Sequence, residues 1–119
     1  MKVARKQYQI CYPDPISLKQ GDLVKVINSE PEESEWFGWH FCSDQNENEG
    51  WISNDFIDIQ NHSGRVLKDY SAKELNAEIG QLFRIISESY GWYWCENEQD
   101  EKGWLPTNLF DQITLKHQQ

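Results

Sequence analysis

Two stretches of this chain are variants of one another. "GWHFCSDQNENEGWI" begins at Gly38 and "GWYWCENEQDEKGWL" at Gly91, so an offset of 53 carries Trp39 onto Trp92, Cys42 onto Cys95, Gly50 onto Gly103, Trp51 onto Trp104 and Ile52 onto Leu105. Farther upstream the offset is 59 and aligns "ISLKQGDLVKVI" (16–27) with "LNAEIGQLFRII" (75–86). The change of six falls in the loop "NSEPEESEWF", which is longer than its counterpart "SESY". A duplication of this kind predicts two units within the 119 residues, 1–60 and 64–115, joined by the short polar stretch "QNHSG". Units so small bury a low fraction of their surface and need bulky side chains to build a core. Six Trp and an aromatic content of 13% meet that need.

Each copy reads as short strands between turn signals. In "DLVKVI" Val24 and Val26 share one parity and Leu23 and Lys25 the other, the period of a strand with one buried face. The segments "SDQNENE" and "ENEQDEK" read as hairpin connections, and "LPTNLF" as a single tight helical turn. Helical periodicity is nearly absent, so the expected class is all-β. Cys42 and Cys95 hold equivalent strand positions next to an aromatic on the opposite face, where a small buried residue is expected. With Cys11 the cysteines number three and follow no metal-ligand spacing, so neither a disulfide framework nor a metal site is expected.

The formal charge is −9. A phosphate backbone is a poor partner for such a surface, and nucleic acid is set aside. No apolar run approaches membrane-spanning length and the start "MKVARKQYQI" lacks the apolar core of an export signal, so the expectation is a cytoplasmic protein without membrane attachment. The run "EPEESE" (30–35) reads as a solvated acidic face that could also steer a basic partner. Trp36 and Trp94 read as packing residues. The three His are scattered, no nucleophile–base spacing occurs, and no Gly-rich phosphate loop is present, so no enzyme and no cofactor are expected.

The ordered landmarks "ARKQY" (4–8), "ISLKQGD" (16–22), Trp39 and "GWISNDFI" (50–57), then "VLKDY" (66–70), "ELNAEIG" (74–80), "GWYW" (91–94) and "GWLPTNLF" (103–110), resemble the Src homology 3 (SH3) family twice over. The resemblance implies two small five-stranded SH3-like barrels in tandem, of variant or bacterial type. It also implies an aromatic groove in each for a peptide in the polyproline II form. Carried over by motif, the first groove holds Tyr8, Trp39, Trp51 and Phe56 with Asp14 at its acidic edge. The second holds Tyr70, Trp92, Trp104, Pro106 and Leu109, with Asn108 as a hydrogen-bond donor and Glu74 at the acidic edge.

The chain departs from the family's pattern at Lys6 and Lys68, which replace the first tyrosine of the opening motif. Ser53 stands for the groove proline, Asp55 for the neighbouring asparagine, and Phe56 or Leu109 for the last tyrosine. Each change removes a wall or a hydroxyl from the groove, and the second copy keeps more of it. The implied function is a non-catalytic adaptor that binds a protein or peptide partner, proline-rich and basic segments being the candidates. The alternative is a structural or assembly protein whose grooves form inter-domain or homo-oligomer interfaces.

Overall fold

In the computed structural model, residues 1–11 and 15–111 are described. Eleven short strands and two single 3-10 turns make up the regular structure of these residues, in keeping with the all-β expectation. The strands are β1 (Lys2–Val3), β2 (Ser17–Leu18), β3 (Leu23–Ser29), β4 (Trp39–Ser43), β5 (Glu49–Ser53) and β6 (Ile57–Gln60). They continue with β7 (Ser63–Val66), β8 (Tyr70–Ser71), β9 (Leu82–Ser89), β10 (Trp92–Glu96) and β11 (Lys102–Pro106). The 3-10 turns, Asn54–Phe56 and Thr107–Phe110, follow β5 and β11 at equivalent points of the repeat.

The expected strand parity holds. Val24 and Val26 point inward while Leu23 and Lys25 are exposed, and on β9 Phe83 is fully buried between exposed Leu82 and Arg84. Cys42 and Cys95 have no exposed surface. The recurring Gly-Trp pair also has a packing reason. A Cβ on Gly50 would meet the Ile16 side chain at 2.6 Å, and one on Gly103 would meet Leu75 at 2.8 Å. Strand β5 or β11 can thus lie against an apolar residue of the equivalent upstream segment only where no side chain intervenes.

Two apolar clusters organise the chain. The first gathers Ile16, Leu18, Val24, Val26, Cys42, Ile52, Ile57, Val66, Tyr70 and Trp104. The second gathers Ala4, Leu75, Ala77, Phe83, Cys95, Leu105 and Leu109. The membership crosses the repeat: Val66 and Tyr70 belong with the first cluster and Ala4 with the second.

Hydrogen bonding follows the same crossing. The N-terminal strand β1 pairs antiparallel with β9, Lys2 opposite Phe83 and Val3 opposite Leu82. Its continuation is tied to the same region by Ala4 N–H to Gln81 O at 2.9 Å, Arg5 N–H to Leu109 O at 2.7 Å, and a reciprocal pair between Tyr8 and Ala77 at 2.9 Å each. In turn β7 lies between β3 and β6, and β8 pairs with β2, Tyr70 opposite Leu18.

The stretch expected to link two units is therefore the tip of a hairpin inside one sheet, with Gln60 opposite Ser63 and Asn61 in the left-handed region at φ 59°. Asparagine is among the residues that adopt that conformation most readily. The sheet order β5-β4-β3-β7-β6 is continuous through residues 60–64, where the sequence suggested a boundary between 1–60 and 64–115. The opening segment 2–8 thus pairs with residues late in the chain, and 63–71 pairs with residues of the earlier half.

Candidate functional site

This pairing re-sorts the predicted groove residues. Tyr8, expected beside Trp39, stands edge-on to Trp92 with centroids 6.2 Å apart. Tyr70, expected beside Trp92, packs against Phe56 at 4.7 Å and Trp104 at 6.2 Å. Both sets then border one cleft of about 360 Å³. Tyr8, Trp92 and Pro106 line it together with Tyr70, Trp39 and Trp51, with Trp104 and Glu74 also on its wall.

Trp104 is the hub of this arrangement. It is 4% exposed, donates its indole N–H to Ser71 O at 2.8 Å, and contacts the rings of Trp39, Phe56, Tyr70 and Trp94. Phe56 lies behind Tyr70 with the Lys68 ammonium 4.7 Å above its ring, so neither borders the cleft. Leu109 is buried in the second cluster, and exposed Asn108 is not among the lining residues. Asp14 lies outside the described residues.

Several positions of the first copy's predicted groove, among them the departures Ser53 and Asp55, have structural employment. Trp39 is 6% exposed and donates its indole N–H to Tyr90 O at 2.8 Å. Ser53, fully buried, sits 2.6 Å from the Ser89 hydroxyl, and Ser89 donates to the Asp55 carboxylate at 2.6 Å. Because a hydroxyl has one proton and Ser89 gives its own to Asp55, Ser53 is the donor to Ser89. Gly38, at φ +97°, leaves its α-face to the Tyr90 ring, which a Cβ would strike. The turn at Ser89–Tyr90 thus closes over the ground that a first groove would have offered.

The lengthened loop supplies a wall that sequence reasoning missed. Trp36, read as a packing residue, is 37% exposed, lines the cleft and lies 5.9 Å from Trp92. Phe37 meets Tyr90 edge-on at 6.4 Å. The loop reaches Trp92 and Tyr90 of the second copy, which a repeat comparison cannot show because the shorter counterpart lacks the added residues. The apolar wall of the cleft is rimmed by Glu30, Glu49 and Glu74. Glu74 is held in place by the Tyr8 hydroxyl at 2.9 Å and the Cys11 N–H at 3.1 Å. Burial, the hydrogen bond to Cys11 and the nearby Glu74 carboxylate all push the Tyr8 phenol well above its ordinary range, so it stays a neutral donor.

Among the described residues no group of His, Cys, Asp and Glu could hold a metal ion, and no helix is long and apolar enough to cross a membrane. No curated protein and no solved structure matches the sequence. Residues 2–60, just under half of the chain, match the family model of the variant SH3 domain, so this part of the chain is similar to SH3 domains, a type that generally serves as a non-catalytic protein-interaction module.

Proposed function

We propose that the chain is a protein-binding module made of two SH3-like units that have exchanged their opening strands, and that it takes a peptide segment in the aromatic cleft between them. The observation that carries this reading is the setting of Trp92. Its ring is half-buried and is contacted by Tyr8, Trp36 and Trp39, all three from the other copy of the repeat. Half-buried Trp and Tyr with one open edge offer large rigid contact area at low entropic cost, the quality that suits them to binding surfaces. Pro106 lies opposite Trp92 on the paired strand, and Tyr8 stands edge-on to it.

The test is a titration of the intact chain with proline-rich peptides, followed by Trp fluorescence and by the indole N–H resonances. Binding that moves Trp92 and is abolished by Trp92→Ala supports the reading. Peptides that leave Trp92 unmoved at millimolar concentration count against it.

A second reading, in which groove residues serve assembly, is favoured for the first copy alone. Trp39, Ser53 and Asp55 are committed to Ser89 and Tyr90 within the same chain. The first groove is thus an internal joint, and the binding surface is what the joint creates.

A further inference from the structure

We infer that Ser29 is a nucleophilic hydroxyl, activated by His40 with Asn54 behind it, and that it accepts an acyl group from an activated ester or thioester. None of these three residues lines the aromatic cleft, so the site is separate from the peptide-binding reading and does not depend on it.

Three elements bring the side chains together. Ser29, the last residue of β3, stands opposite His40 of β4 in the strand ladder, and its Oγ lies 2.7 Å from His40 Nδ1. Across the ring, His40 Nε2 lies 2.6 Å from Oδ1 of Asn54. Asn54 opens the 3-10 turn after β5, and its own N–H donates to Gly38 O at 2.8 Å, which fixes it beside the start of β4. Spacings of 11 and 14 positions gave no sign of this in the sequence.

The acceptor at Asn54 sets the direction of the relay. An amide oxygen can only accept, so in the neutral ring Nε2 carries the proton and donates it to Asn54. Nδ1 is then the bare nitrogen, and the Ser29 hydroxyl donates to it. A hydroxyl that donates to an imidazole whose tautomer a third group holds is the arrangement that turns serine into a nucleophile. Ser29 is exposed while His40 and Asn54 are half-buried, so the attacking oxygen faces solvent and its support is held by the fold.

The second copy keeps the framework without the chemistry. Glu88 stands opposite Tyr93 at the matching ladder positions, and Thr107 opens the matching turn. No imidazole is present there, so the fold does not itself require the relay.

The step needs only the acyl donor. Ser29 Oγ bonds to the acyl carbon as its proton passes to His40 Nδ1, the bond from that carbon to the leaving oxygen or sulfur breaks, and the leaving atom takes the proton from His40. The products are an O-acyl Ser29 and an alcohol or thiol.

The experiment uses the intact chain with Cys11→Ala, so that the exposed thiol does not compete, and p-nitrophenyl acetate as the donor. Acetylated residues are located by peptide mass spectrometry. Ser29 is expected to acetylate at least about tenfold faster than Ser87, an exposed serine on β9. His40→Gln should slow Ser29 at least about tenfold and His62→Gln should not. Asn54→Leu should slow it several-fold, and Asn54→Asp, which restores an acceptor, should recover the rate. The Trp39 indole N–H resonance reports that each variant is folded.

Ser29 labelling no faster than Ser87, or a folded His40→Gln variant that labels at the parent rate, would overturn the inference and show that the three residues only brace the turn. Peptide binding is judged separately: Ser29→Ala is expected to leave the Trp92 response to proline-rich peptides unchanged, and absence of that response leaves the acylation result standing.

Discussion

The indole N–H of Trp39 donates to the carbonyl oxygen of Tyr90 across 2.8 Å, joining two residues 51 positions apart and from opposite copies of the repeat. Trp39→Phe keeps most of the apolar contact and removes the donor. Leaving the Tyr90 carbonyl without that partner is expected to reduce stability by about 1–3 kcal/mol, and Trp39→Ala by about 3–5 kcal/mol through the added cavity. Urea denaturation followed by circular dichroism measures both. Equal losses for the two variants would show that the hydrogen bond, and not the packing, carries the stability there.

Ser89 is the centre of a second tie between the copies, receiving a hydrogen bond from Ser53 and giving one to Asp55. Ser89→Ala removes both at almost unchanged volume and should reduce stability by about 1–3 kcal/mol, because the buried Ser53 hydroxyl loses an acceptor. The same scan on Ser87→Ala, an exposed position on β9, serves as a control expected to stay within about 0.5 kcal/mol of the parent.

The exchanged strands make the two clusters interdependent. A fragment of residues 1–60 lacks Val66 and Tyr70, which are buried in the first cluster, and a fragment of 61–119 lacks Ala4, buried in the second. Each alone is expected to be largely unfolded by circular dichroism, and an equimolar mixture to regain the spectrum of the whole chain. A cooperative thermal transition in the isolated 1–60 fragment would contradict the strand exchange directly.

The cysteines divide by burial. Desolvation pushes the Cys42 and Cys95 thiols up to about 12, while Cys11 is exposed. A thiolate reagent at pH 8 should therefore label one cysteine in the native chain and three after denaturation. Because the folded thiols titrate above their ordinary value of 9.0, they contribute stability that is fully present below that pH. That contribution is lost as pH rises from about 9 toward about 12, where the folded thiols titrate too. Chemical denaturation at pH 8 and pH 10.5 should show lower stability at the higher pH, and Cys42→Ala with Cys95→Ala should reduce the difference.

Asp44 offers the opposite sign. Desolvation tends to raise its pKa, but hydrogen bonds from the Asn48 and Asn46 N–H groups and from the Asn48 side chain outweigh that and hold it below its ordinary value of 3.8. Its support of the hairpin is thus present above about pH 3.8 and is lost as pH falls through the lowered folded value. The second copy has Asn97 at the matching place, accepting from Gln99 and Glu101 N–H at 3.0 Å each. Asp44→Asn should preserve the hairpin and make the chain less sensitive to acid, read as a smaller loss of Tm between pH 6 and pH 3.

Much of the fold was legible because period-two burial and turn chemistry are local. The parity of Val24 and Val26, the burial of Cys42 and Cys95, and the turn at 107–110 all follow from neighbours in sequence. Trp92, Pro106 and Tyr8 were named as groove residues and do border the cleft, yet Tyr8 was assigned to the other Trp. Trp36 was missed as a cleft residue because its partner is 56 positions away, and nothing in an inserted loop signals what it will touch.

The sequence by itself determined the elements: two sets of short strands, their buried faces, the turns between them and the aromatic residues that a small core requires. Tertiary structure alone decided which opening strand completes which cluster. The physical reason is the duplication itself. "ARKQY" and "VLKDY" are similar enough to fit either sheet, so local pattern carries no preference between them. The choice rests on long-range terms: the hairpin turn at Asn61 that returns β7 alongside β6, the burial of Ala4 against the second cluster, and the bonds from Trp39 and Ser53 to the Ser89–Tyr90 turn.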